Sequence, residues 1–154
     1  MQSNKLKFIT EQFIPLLKTL NNSSQPKWGK MNAQQMIEHV TDFFKVSTGK
    51  LHFDFVTPAE HLPKYMEFLM SEKEFRENTK APILPDEPFP IRNNSIEIAI
   101  EKLNKEIKHF VLAFSSNTDL HNLHPVFGNL NFEQWLQLHY KHVTHHARQF
   151  NLIN

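Results

Sequence analysis

The chain has 154 residues, 40% of them hydrophobic, with 17 basic and 16 acidic residues and no cysteine. A chain of this length is expected to fold as one domain, since folding at this size buries about 68–70% of the unfolded chain's surface. The balanced charge leaves no basic stripe for nucleic acid, and the missing cysteines exclude disulfides, thiolate nucleophiles and sulfur-ligated zinc, while no apolar run reaches the ~20 residues of a membrane helix.

Only three glycines occur, and the nine prolines sit mainly between apolar-periodic segments, a pattern of helices joined by proline-marked loops. Ile9, Phe13, Leu16, Leu17 and Leu20 recur at spacings of three and four and predict a first helix over 5–20, with a local kink at Pro15. Glu11 and Gln12 interrupt its apolar residues, so it reads as an amphipathic helix and not a signal peptide. Together with the absent cysteines, this suits a soluble protein of the reducing cytoplasm. Residues 21–30 read as a loop.

The second helix opens at Asn32, where Gln35 three residues on completes a capping box. Met36, His39, Val40, Phe43 and Val46 then share a face, and Gly49 ends the segment. Residues 51–93 read as a long excursion between the second and third helices. Within it, "LHFDF" alternates like a short extended piece, "LPKYMEFLMSEKEFREN" has helical spacing, and "APILPDEPFPI" carries four prolines and reads as an irregular connection. A third helix is predicted after Asn94, with Glu97 as the partner in a capping box and a stripe of Ile96, Ile100, Leu103, Ile107, Phe110, Val111 and Phe114. "SSNTDLHNLHPVFGNL" reads as a loop. The fourth helix starts at Asn131, capped with Gln134, and runs to about residue 150. Long helices with a long irregular and partly helical crossover between the second and third describe an all-α four-helix bundle.

The fourth helix holds four histidines in the eight positions from His139 to His146. At about 100° per residue, Trp135, His139, His142, His146 and Gln149 fall in a sector of roughly 60–80°. His142 and His146 are four apart, which puts their Cβ atoms about 5–6 Å apart on successive turns, the spacing by which one helix offers two imidazoles to one metal. His39 sits between Met36 and Phe43 on the inward face of the second helix. Burying three such rings without partners costs on the order of 2 kcal/mol or more each, and one metal satisfies all three. Spacing alone leaves two readings open, a metal site and a solvated or hydrogen-bonded histidine patch. Three imidazoles without a thiolate suit Zn²⁺ or Ni²⁺ and leave a coordination position for water or substrate, so such a metal would polarise a substrate oxygen or lower the pKa of water or a thiol.

"WGKMNAQQMIEHV" (28–40) followed by "HPVFGNLNFEQWLQLHYKHVTHHARQF" (124–150) resembles the DinB-like superfamily, most closely its branch of small single-domain proteins. The resemblance covers most of the chain in order and length, apart from residues 51–93. It implies a four-helix bundle whose metal is held by one histidine of the second helix and an H-x-x-x-H pair of the fourth, here His39, His142 and His146, with Gln149 following the pair. Relatives in that superfamily include thiol-dependent enzymes, such as mycothiol-dependent maleylpyruvate isomerase and bacillithiol transferases. The resemblance therefore implies a metal-dependent transferase or hydrolase acting on a small molecule, with a low-molecular-weight thiol as cosubstrate. The alternative is a non-catalytic metal-binding or stress-response bundle with a structural metal. A homodimer through bundle helices is compatible with either.

Several further residues are candidates for a share in the site. Glu38 and Asp42 flank His39 and are read as solvated residues at the edge of the inward face, with proton handling as the sharper role. His139, one turn before His142, is a candidate proton shuttle, fourth contact or core histidine. His145 projects to a flank and is expected at the surface. His124, before Pro125, is read as part of a turn, with a pocket wall as the other reading. Trp28 and Trp135 are expected as large core residues, Trp135 on the histidine face.

Overall fold

The computed structural model describes residues 2–154; Met1, which the expected single domain includes, lies outside the described residues. The fold is mostly helical, with 54% helix and 4% strand. Helix α1 (Gln2–Lys7), a π-helical turn (Phe8–Gln12) and α2 (Phe13–Leu17) follow one another without a break. Pro15 has no N–H to give to the carbonyl four residues back and crowds it, and the widened turn just before it takes up that mismatch. The helix ends at Leu17, short of the expected residue 20, and Thr19 and Leu20 continue only as tight turns on Leu16 and Leu17.

Helix α3 (Ala33–Ser47) begins with the capping box anticipated at Asn32 and Gln35. A crossover then carries a short 3₁₀ turn (Ala59–His61) and α4 (Leu62–Met70). Helical spacing predicts that α4 continues past residue 70; it stops at Met70, where Ser71 turns extended at ψ 170° and its N–H and hydroxyl both donate to the Phe68 carbonyl. Lys141 Nζ and Gln137 Nε2 then both donate to the Ser71 carbonyl, at 2.6 and 2.9 Å, and hold the chain against the last helix.

Helix α5 (Ile96–Ser116) corrects the expected cap. Ser95, not Asn94, is the capping residue, and its hydroxyl accepts from Ile98 N, so no capping box with Glu97 forms. Both residues have cap chemistry; the one that places Ile96 at the first buried helical position is used. The expected loop before the last helix contains an antiparallel hairpin of β1 (Asn122–His124) and β2 (Gly128–Leu130), closed through Gly128 at φ +85°. Helix α6 (Phe132–Gln149) starts with the second anticipated capping box, Asn131 with Gln134.

Helices α3 and α5 pack along their lengths, and α1 and α4 lie against α6. Their apolar faces meet in one core that includes Phe13, Met36, Phe44, Leu103, Phe110 and Trp135, each 0% exposed. Among the described residues no helix is long and apolar enough to cross a membrane. The same packing turns the histidine faces of α3 and α6 towards each other.

Candidate metal centre

His39 on α3 and His142 and His146 on α6 converge through their Nε2 atoms. His142 Nε2 lies 2.9 Å from His39 Nε2 and 3.1 Å from His146 Nε2. The ring nitrogens the three residues offer all lie within 4.8 Å of one another, so this cluster could hold a metal ion. The rings pack edge to face, with centroids 4.7 to 5.0 Å apart.

The surrounding protein leaves these nitrogens in the form a metal ligand needs. Gln149 Nε2 donates to the Trp28 carbonyl at 2.9 Å, so the Gln149 amide oxygen faces His146 Nδ1, 2.7 Å away. An amide oxygen only accepts, so His146 Nδ1 carries the proton and Nε2 presents a lone pair to the cluster. Gly29 makes room for this contact: at φ +82°, a Cβ there would come within 3.0 Å of Gln149 Nε2. Burial, then the charge of His145, brings the His39 pKa down to about 4. Burial first, and then the neighbouring imidazoles, push His142 and His146 well below the usual histidine value. All three rings are therefore neutral near pH 7, the form that binds a metal.

Replacing Gln149 by alanine is expected to weaken metal binding about 10-fold or more, the usual cost of removing a group that orients a ligating imidazole. Competition against a chromophoric chelator measures this directly. Unchanged affinity would mean that packing alone holds His146.

His39 and His142 are half-buried, and both line a cavity of about 1270 Å³. Phe75 and Phe89 from the crossover after α4 contribute to its walls, with Phe68 of α4 and Trp28 from the loop before α3. That cover corrects three expectations. His145 is 6% exposed and not at the surface, because Trp28 and Phe75 close over it with ring centroids 5.3 and 5.9 Å away. Trp28 is half-buried at the cavity wall and not in the core.

Glu38 is 4% exposed and not solvated. It accepts from the Arg92 and Asn93 backbone amides at 2.9 and 3.0 Å, from Asn93 Nδ2 at 2.8 Å and from Gln34 Nε2 at 3.1 Å. Burial raises its pKa, but the bonds from Asn93, Gln34 and Arg92 outweigh it and hold the carboxyl below the usual range. Its place is that of an anchor for the end of the crossover. The Arg92 guanidinium lies 3.7 Å from Glu38 Oε1 and pairs with Asp42 at 3.0 Å.

His139 does not join the cluster. Its ring stacks on Phe44 at 3.8 Å and 8° and packs edge-on to Phe110, and Nε2 is sealed without a partner. That is the environment of a core histidine held neutral by burial. Trp135 is fully buried as expected, and its Nε1 donates to the Asn122 carbonyl, joining α6 to the hairpin. The role of Arg92 as partner to both α3 carboxylates had no signal in the sequence, since the contact spans about fifty residues of chain.

A family model described as a protein of unknown function, DUF1569, matches residues 6–152, and the chain belongs to that family. No curated protein and no solved structure matches it.

Proposed function

For this member of the DUF1569 family, we propose a DinB-like four-helix bundle that works as a cytoplasmic, metal-dependent transferase or hydrolase on a small molecule. The observation that carries the reading is the convergence of three neutral imidazole nitrogens at one wall of a large cavity. His39, His142 and His146 would hold the ion, and an all-imidazole donor set favours Zn²⁺ or Ni²⁺ over Mg²⁺ or Ca²⁺. Such an ion supplies Lewis acidity, which polarises a substrate oxygen or favours the thiolate of a low-molecular-weight thiol. Gln149 orients His146, and the half-buried faces of His39 and His142 leave the cluster open on the cavity side. The balanced charge of the chain disfavours nucleic acid as the partner.

Cobalt substitution separates an open catalytic centre from a closed structural one. Addition of azide or of a small thiol is expected to change the visible spectrum of the Co²⁺ protein, because a coordination position remains available. A spectrum indifferent to both, combined with a large loss of melting temperature on metal removal, would replace the enzyme by a structurally metallated bundle.

A further inference from the structure

The two ring nitrogens of His124 have different fates. Nδ1 accepts from the backbone amides of Val126 at 3.0 Å and Phe127 at 3.2 Å. A nitrogen that accepts two amides carries no proton, so the turn itself fixes the tautomer and places the proton on Nε2. The residue is 7% exposed, and burial brings its pKa down to about 3, so the ring is neutral at physiological pH. Nε2 has no hydrogen-bond partner among the described residues, yet it is not one of their sealed orphan nitrogens, which are His109 Nδ1, His139 Nε2 and Arg148 Nη2. His124 is among the residues that line the same cavity as His39, His142 and His146.

The surroundings of this donor are aromatic. Ring centroids of Phe127, Trp135 and Phe43 lie 5.1, 5.5 and 5.7 Å from that of His124. Phe43 in turn packs against His39 and His142, at 5.3 and 5.4 Å, so donor and candidate metal centre share one wall residue. The basic side chains that line the cavity outnumber the carboxylates by six to five, a slight lean towards an anion. Each lining carboxylate is already engaged: Glu38 and Asp42 by Arg92, Glu74 by Arg148, Asp86 by Lys80 and Glu87 by Lys30. Lys64, Lys73 and Arg76 line the same cavity with no carboxylate partner among the described residues.

We propose that His124 Nε2–H is a fixed hydrogen-bond donor through which the cavity selects a small carboxylate on an apolar or aromatic body. This rests on reading the cavity as the substrate site of a metal enzyme. A polar donor kept in an apolar wall and barred from switching tautomer recognises acceptors and rejects donors.

Two substitutions separate the two nitrogens. In His124→Asn the amide oxygen can take over the turn amides in an Asx-type contact, while the Nε2–H donor is lost. In His124→Gln the amide reaches the Nε2 position and keeps a donor, while the turn amides lose their acceptor. The probes are benzoate and benzylamine, titrated into zinc-loaded and chelator-stripped protein, with the histidine ring ¹⁵N resonances followed by NMR. Wild-type protein should bind benzoate in preference to benzylamine, and benzoate should move the His124 Nε2 resonance. His124→Asn should weaken benzoate about tenfold, the factor lost with one hydrogen bond, and leave benzylamine within about twofold. His124→Gln should keep most of the benzoate affinity and lose melting temperature.

Equal benzoate affinity in wild type and His124→Asn, no benzoate binding by wild type, or a ring proton on Nδ1 would each overturn the assignment. Should His124→Asn not fold, the response of the wild-type His124 resonance to benzoate decides the matter alone. Failure of the metal reading would appear separately, as protein that takes up no zinc, and the ring measurements on stripped protein would still stand.

Discussion

Replacing His142 by alanine is expected to abolish the metal-dependent part of the protein's thermal stability while leaving the fold in place. His142 Nε2 is the shared vertex of the cluster, in reach of both His39 and His146, so its loss leaves two imidazoles that no longer have a common neighbour. A ligand that binds only the folded state stabilises it by about 4 kcal/mol when present at ~1,000 times its dissociation constant. For a chain of this size that raises the melting temperature by roughly 8–16 °C. Wild-type protein should show a rise of this order on going from chelator to Zn²⁺ or Ni²⁺, and His142→Ala should show almost none. If the three histidines formed only a hydrogen-bonded patch, the variant would differ from wild type in chelator and both would ignore metal.

Acid should destabilise the metal-free protein well before its carboxylates titrate. His124 and His139 are buried and neutral in the folded state, with pKa values pushed down by burial, to about 3 for His124 and well below the ordinary value for His139. The unfolded chain has ordinary histidines near 6.5, so below that pH it binds protons the folded state refuses. Stability that is present above about pH 6.5 is therefore lost as the pH falls towards the folded-state values. Between pH 7.5 and 5 the His124 ring alone removes about 2 kcal/mol, a sizeable share of the 5–15 kcal/mol typical of a domain, and His139 acts in the same direction. His39, His142 and His146 are displaced in the same direction and add to the loss. Urea denaturation of chelator-stripped protein at pH 7.5, 6 and 5 should show the midpoint falling steeply, and a midpoint unchanged to pH 5 would contradict the buried neutral state of these rings.

The parts of this structure that could be read from sequence are those governed by local chemistry. Asn32 and Asn131 cap their helices with Gln35 and Gln134 because a capping box involves only four consecutive residues. His142 and His146 share a face by helical period, and His39 faces them because the apolar neighbours Met36 and Val40 fix the inward side of α3. What escaped is what the crossover adds from a distance. Glu38 looks like a solvated edge residue until Arg92 and Asn93 dock on it, and His145 looks exposed until Phe75 and Trp28 cover it. The hairpin at Asn122–His124 also escaped, since its strands are three residues long and it is held by the His124 ring and the Trp135 indole, not by an alternating pattern.

The chemistry of the candidate site follows from the same division. Two helices supply the nitrogens, and the crossover between α3 and α5 supplies much of the wall that faces them. On the proposed function, substrate selection would reside in segments that the helical pattern does not specify, the crossover and the His124 turn.

The most direct measurement is the metal content of the protein purified without chelator, by elemental analysis against protein concentration. One equivalent of zinc or nickel per chain, absent from His142→Ala, is the predicted result. Wild-type protein that carries no metal and takes none up from added Zn²⁺ or Ni²⁺, or a His142→Ala variant with full occupancy, would contradict it.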